Sequence, residues 1–89
     1  MKASIDISLY PLTSEYEEVI TNFILDLRKR PGIKVETNGL STQLFGDYDT
    51  LMDILKEDIG RVFEERKAVF VLKLAADEHT REKLPGSLR

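Results

Sequence analysis

The side chains best suited to chemistry lie in the stretch ETNGLSTQLFGDYD, residues 36–49, in the middle of the chain. Ser41, Thr42 and Gln43 follow one another there, directly before the apolar pair Leu44 and Phe45. Hydroxyl and amide groups both donate and accept hydrogen bonds, so they suit the recognition of a polar ligand. Which of the three could reach a ligand depends on the strand that positions them.

Composition and charge exclude several classes of protein. The chain has 89 residues and no cysteine, so disulfides, thiolate chemistry and cysteine-type zinc sites are excluded. The single histidine, His79, stands in a charged tail without a second ligand, and we expect no metal and no cofactor. The net charge of −3 argues against nucleic acid, whose phosphates require a basic surface. No apolar run approaches the roughly 20 residues of a membrane helix, and no signal peptide is recognisable, so we expect a cytoplasmic protein without membrane insertion.

Hydrophobic periodicity predicts six elements in the order βαββαβ. Alternating apolar and polar residues predict four strands, at residues 3–9, 33–37, 40–45 and 68–75. Apolar residues at three-four spacing predict two helices. The first would begin with a capping box at Ser14–Glu17 and stop at Pro31-Gly32, and the second would begin at Gly46-Asp47.

This order predicts an α+β fold of the ferredoxin-like type, a four-stranded antiparallel sheet with two helices on one face. The first and third strands would lie in the middle of the sheet and the second and fourth at its edges. Asn38-Gly39 would form a two-residue hairpin turn that pairs Thr37 with Leu40. We expect one domain at residues 1–76, followed by a charged, loosely ordered C-terminal tail at residues 77–89.

The face of the sheet that the helices leave uncovered, here called the open face, receives alternate residues of each strand. Seven of them are candidate ligand-binding residues: Asp6, Ser8, Tyr10, Glu36, Ser41, Gln43 and Phe45. Thr42 would point inward, whereas Val69, Val71 and Lys73 would lie on the open face and form an exposed patch with the two aromatic residues. Solvated surfaces usually carry long charged side chains, so small hydroxyls among aromatic residues favour a covered surface. A ligand pocket, an interface with another copy of the chain and a solvated face all stay open on this pattern.

Two motifs, ISLYPL at residues 7–12 and VETNGLSTQLFGDYDTLMDIL at residues 35–55, resemble those of the YkoF-type thiamine- and hydroxymethylpyrimidine-binding proteins. The resemblance implies a non-catalytic carrier or sensor of thiamine or its hydroxymethylpyrimidine moiety, linked to uptake of that precursor. Better-known members carry two such domains in tandem, whereas this chain has one. Either a second copy supplies the other half, in a homodimer or tetramer, or the chain has diverged from the binding role.

The resemblance assigns expected roles to the seven candidates. The pyrimidine edge would pair with Ser8, Ser41 and Gln43, a ring would stack on Tyr10 or Phe45, and the thiazolium charge would be balanced by Asp6 or Glu36. Tyr10 is almost as well explained as a strand-end aromatic residue beside Pro11. Asn38 and Gly39 are explained by the turn alone.

Two other functions of this topology do not fit the sequence. Acylphosphatases need an anion-binding loop with an arginine after the first strand, but here the loop reads YPLTSEYEE. RNA-recognition domains present aromatic residues on a basic surface, which the acidic chain does not provide. We therefore expect no enzyme. The alternative function is an oligomeric assembly or regulatory protein whose open face serves only as a subunit interface.

Overall fold

The computed structural model describes residues Met1 to Arg89 and contains the six predicted elements in the predicted order. The strands are β1 (Lys2–Pro11), β2 (Lys34–Thr37), β3 (Thr42–Asp47) and β4 (Ala68–Ala76). The helices are α1 (Tyr16–Arg28) and α2 (Tyr48–Glu65), and short 3-10 helices follow at Arg81–Lys83 and Gly86–Leu88. Neither α1 nor α2 combines the length and the apolar character that crossing a membrane would require.

The four strands form one antiparallel sheet in the order β2-β3-β1-β4, which confirms the predicted ferredoxin-like arrangement. The core lies between the sheet and the two helices. The sheet contributes Ala3, Ile5, Ile7, Leu9 and Leu44, and the helices contribute Val19, Phe23, Leu27, Leu51, Ile54, Leu55 and Val62. Since alternate residues of β1 fill this core, the residues between them must lie on the open face.

The β2–β3 hairpin differs from the predicted two-residue turn. Thr37 pairs with Thr42 rather than with Leu40, so the loop spans four residues and the register is shifted by two. The Asn38 side-chain oxygen accepts from the backbone amides of Leu40, at 2.9 Å, and Ser41, at 3.1 Å. This side-chain turn takes the place of the predicted two-residue turn, and neither Asn38 nor Gly39 has a positive φ. A shift of two residues keeps every side chain on its predicted face.

The structure also differs from the prediction at the start of α1 and in the buried face of α2. The capping box is wrong, since α1 begins at Tyr16 with Glu15 as its N-cap and without a side-chain capping bond. On α2 the buried face includes Asp58, whereas the apolar Met52 and Phe63 are exposed. Three-four spacing gives the period of a helix but not how far its apolar stripe is rotated towards the sheet.

The buried Asp58 ties the connection between α1 and β2 to α2. Its side chain is 1% exposed, and its Oδ1 accepts from the Arg30 guanidinium at 2.6 Å. Arg61 approaches the same oxygen at 3.3 Å. A carboxylate can be buried in this way when it is paired with a cation and hydrogen-bonded.

Candidate ligand-binding site

The strand register arranges the open face in rows that run across the sheet. In the central row, Lys73 of β4 lies opposite Asp6 of β1, which lies opposite Gln43 of β3 and then Glu36 of β2. Directly opposed side chains on one face of a sheet are about 5 Å apart at their β-carbons. The chain therefore places two acids, an amide and an amine side by side in the middle of the open face.

Asp6 is the centre of a hydrogen-bonded cluster in this row. Its Oδ1 accepts from the Ser41 hydroxyl at 2.6 Å and from the Gln43 amide at 2.9 Å. The Gln43 amide also donates to the Ser41 hydroxyl oxygen, at 2.8 Å. The hydrogen bonds from Ser41 and Gln43, together with the charge of Lys73, lower the pKa of Asp6 below its ordinary value. Asp6 is thus held as an anion, and its second oxygen has no donor within the chain.

One end of the open face is covered by the segment that follows β4. The Ser4 hydroxyl donates to the Asp77 carbonyl at 2.7 Å and accepts from the His79 amide at 2.8 Å. Further along, Glu82 lies 3.2 Å from the amine of Lys34, on the opposite edge of the sheet. The segment consequently crosses the row that contains Phe45, and Phe45 is only 5% exposed. Whether residues 77–89 are loosely ordered in solution, as we expect, stays a prediction.

A cavity of about 320 Å³, here called the aromatic hollow, lies at the other end of the sheet. It forms because β3 pairs with β1 only as far as Ile7, whereas β1 continues along β4 as far as Pro11. The β2–β3 loop and the first turns of α1 close this gap. Its lining includes Ser8, Tyr10, Tyr16, Ile24, Leu40 and Ser41, and no charged side chain.

A smaller cavity of about 180 Å³, the tail hollow, lies beneath the crossing segment. Its lining includes Ser4, Asp6, Gln43, Phe45, Lys73 and His79. The two hollows are connected chemically, because Ser41 lines the aromatic hollow and donates to Asp6, which lines the tail hollow.

Six of the seven candidate residues are therefore divided between two neighbouring cavities. Ser8, Tyr10 and Ser41 line the aromatic hollow, and Asp6, Gln43 and Phe45 line the tail hollow. Glu36 lines neither, and its carboxylate instead forms an ion pair with the Lys34 amine, 3.0 Å away. The expectation that Phe45 is exposed beside Tyr10 is wrong, since the crossing segment buries it.

Four residues near the hollows were missed by sequence reasoning. Tyr16 was not among the candidates and Leu40 was assigned only to the hairpin, but both line the aromatic hollow and are exposed. Ser4 and His79 join the tail hollow through a contact between residues 75 positions apart. Tyr16 and Leu40 had a signal in the sequence, namely large apolar side chains beside helix-start and turn residues.

The motif residues that were singled out in the sequence meet at the aromatic hollow. Tyr10, the last exposed residue of ISLY, and the residues 37–42 of the hairpin motif line it from opposite sides. A family model described as the YKOF-related family matches residues 2–81, which includes both motifs. The chain belongs to the YkoF-related family. No protein of curated function matches the chain.

Solved structures give the same fold. A protein from Thermotoga maritima, provisionally described as a thiamine biosynthesis or salvage protein, is 23% identical with a TM-score of 0.80 and coverage of 93% of this chain and 94% of that one. A Streptococcus pneumoniae protein is 29% identical, with a TM-score of 0.78 and coverage of 89% and 90%. A hypothetical protein from Methanocaldococcus jannascii is 28% identical, with a TM-score of 0.75 and coverage of 92% and 90%. Each of these chains is about the same length as this member of the family.

Proposed function

We propose that the protein binds thiamine or its hydroxymethylpyrimidine moiety without catalysing a reaction, as a carrier or sensor for the uptake of a thiamine precursor. The observation that carries the proposal is the aromatic hollow beside the Asp6–Ser41–Gln43 cluster. Membership of the YkoF-related family and the description of the Thermotoga structure support the choice of ligand.

The size and walls of the aromatic hollow suit a flat heteroaromatic ring. Ligand pockets span roughly 300 to 1,000 Å³, so the hollow at about 320 Å³ falls within that range and the tail hollow at about 180 Å³ does not. Tyr10 and Tyr16 are both half exposed and offer rings on which an aminopyrimidine can stack. The hydroxyls of Ser8 and Ser41 can exchange hydrogen bonds with its polar edge.

The charge around the hollow favours the cationic thiazolium ring over a phosphate. Asp6 is held as an anion one hydrogen bond behind Ser41, and no lysine or arginine lines the hollow. Thiamine carries a permanent positive charge, whereas thiamine diphosphate adds negative charge that no cation lining the hollow neutralises. In this arrangement Ser41 touches the ligand, and Asp6 and Gln43 act through it as positioning residues.

The second candidate function is an assembly or regulatory role in which the open face is only a subunit interface. Tyr10, Val69 and Val71 favour it, because all three are about half exposed on neighbouring strands. Apolar patches of this kind often mark interaction sites. Both functions are compatible with a homodimer or tetramer. A measurement of ligand binding therefore distinguishes them, whereas a measurement of oligomer size does not.

A thermal-shift screen with thiamine, hydroxymethylpyrimidine and thiamine diphosphate tests the proposal. At a concentration 100 times its dissociation constant, a ligand stabilises by about 2.7 kcal/mol, which corresponds to a rise in Tm of roughly 10–20 °C for a domain of this size. We expect this rise with the first two compounds and a smaller one with the diphosphate. An unchanged Tm with all three would favour the assembly role, and tighter binding of the diphosphate would contradict the charge argument.

A further inference from the structure

The hydrogen bonds around Ser41 determine how its hydroxyl can meet a ligand. A serine hydroxyl has one hydrogen to donate and two lone pairs that accept. The hydrogen is donated to Oδ1 of Asp6 at 2.6 Å, and one lone pair accepts from the Gln43 amide at 2.8 Å. One lone pair is left, so Ser41 can accept a hydrogen bond from a ligand in the aromatic hollow but cannot donate one.

The charge of Asp6 fixes the direction of the bond from Ser41. The hydrogen bonds from Ser41 and Gln43 lower the pKa of Asp6, so its carboxylate is ionised at neutral pH and only accepts. If the Ser41 hydroxyl turned its hydrogen away, two oxygen lone pairs would face each other at 2.6 Å. Bonds to an ionised acceptor are roughly twice as strong as bonds between neutral groups, so the carboxylate keeps the hydrogen.

The Gln43 amide is oriented by the same anion. Its nitrogen lies 2.9 Å from Oδ1 of Asp6 and 2.8 Å from the Ser41 oxygen, and an amide nitrogen has one hydrogen for each of these contacts. A flipped amide would point its oxygen at the carboxylate. Gln43 therefore donates within the cluster and keeps one lone pair of Ser41 occupied.

Ser8 is free of such restrictions. It follows Ile7, where the pairing of β1 with β3 ends, and one further step along that register brings it beside Ser41. Its hydroxyl lies 3.5 Å from the Leu40 carbonyl, which is longer than an ordinary hydrogen bond between two oxygens. The Ser8 hydroxyl can thus rotate to donate to a ligand or to accept from it, and both serines line the aromatic hollow.

We propose that Ser41 makes the site select aminopyrimidines over oxopyrimidines, because its hydroxyl is held as an acceptor. This inference rests on the proposed function and specifies the edge that the ligand must present. The amino group of an aminopyrimidine donates to Ser41, and the neighbouring ring nitrogen accepts from Ser8. In an oxopyrimidine a carbonyl oxygen replaces the amino group and would face the remaining lone pair of Ser41. Ser41 is the specificity-determining residue, and Asp6 and Gln43 are positioning residues that hold its hydrogen.

Isothermal titration with thiamine and oxythiamine tests the selectivity. The two compounds share the thiazolium ring and the hydroxyethyl arm, and oxythiamine has a carbonyl in place of the amino group of the pyrimidine. Sites closed to water reject a mismatched edge by large factors, but the half-exposed Tyr10 and Tyr16 leave this hollow open. We therefore expect thiamine to bind about tenfold more tightly than oxythiamine.

Two serine variants form a matched pair for this measurement. S41A removes the fixed acceptor, so the affinities for the two compounds should become equal within about twofold. S8A removes a hydroxyl that adapts to either compound, so it should weaken both and keep the ratio of their affinities. D6A gives a further readout, because it releases the Ser41 hydrogen to donate, and the ratio should fall although the Ser41 hydroxyl is still present. Circular dichroism of each variant verifies that it is folded.

The outcomes separate this inference from the function on which it rests. Equal affinities for thiamine and oxythiamine in the unmodified protein would overturn the selectivity and leave the proposed function intact. A ratio that persisted unchanged in S41A would overturn the role of Ser41. Failure of both compounds to bind would overturn the proposed function and this inference with it.

Discussion

Replacing the hydroxyls of Ser41 and Thr42 one at a time distinguishes the two faces of the sheet. The residues are adjacent, yet the Ser41 hydroxyl bonds to Asp6 on the open face and the Thr42 hydroxyl lies 3.2 Å from that of Thr37. Both residues border the aromatic hollow, but Thr42 is only 4% exposed and its hydroxyl faces Thr37 on the helix side of the sheet, whereas the hydroxyl of Ser41 lies on the open face. S41A and T42V each remove one hydroxyl, so they form a matched pair.

The structure gives the size of each effect. S41A removes a hydrogen bond of 2.6 Å to an anion together with a proposed ligand contact, and bonds to charged groups contribute about 1.5–3 kcal/mol. Because the site is open to water, we expect the lower end for each effect. The lost ligand contact should weaken thiamine binding about tenfold, and the lost bond to Asp6 should lower the unfolding free energy by about 1 kcal/mol. T42V removes one neutral hydrogen bond from the buried side and should lower the unfolding free energy by about 1 kcal/mol. Its affinity for thiamine should stay within about twofold of the original.

Isothermal titration with thiamine and urea unfolding of both variants measure the two quantities. If T42V abolished binding while S41A bound normally, the assignment of the two faces would be wrong. Equal effects of both variants on affinity would mean that the hydroxyls act through the stability of β3 rather than through contact with a ligand.

Three further changes should give defined results. Because the pKa of Asp6 is lowered, its contribution to folding is complete above the ordinary carboxyl pKa and is lost as the pH falls through the lowered value. Thiamine affinity should accordingly be constant from about pH 7 to pH 5 and fall only in more acidic solution, whereas D6N should bind weakly at every pH. D58A should reduce the unfolding free energy measured in urea by about 3 kcal/mol and leave affinity unchanged, because it breaks a buried ion pair remote from both hollows; unchanged stability would contradict this. Removing residues 78–89 should uncover Phe45 and increase the fluorescence of a hydrophobic dye, and dye binding equal to that of the full chain would show that the segment does not cover the sheet.

The topology and the two faces of the sheet could be predicted because both depend on periodicity, which survives local errors. The Asn38-Gly39 turn illustrates this. Its type was predicted from backbone preference, but the Asn38 side chain accepts from two loop amides and lengthens the loop. The register moved by two residues, and Ser41 and Gln43 stayed on the face assigned to them.

The composition of the hollows could not be predicted in the same way. The aromatic hollow depends on the residue at which β3 begins to pair with β1, and the length of the β2–β3 loop sets that residue. The burial of Phe45 depends on a segment whose contacts with Ser4 lie more than 70 residues away in sequence. Alternation assigns a face to a residue, but it does not determine what crosses that face.

Titrating isotope-labelled protein with thiamine while recording amide chemical shifts tests the central claim most directly, because it reports binding and location together. The account predicts saturable shifts concentrated at Ser8, Tyr10, Tyr16, Leu40 and Ser41, with the exposed face of α2 unchanged. Hydroxymethylpyrimidine should shift the same amides. Shifts confined to α2, or no saturable shift with either compound, would contradict it.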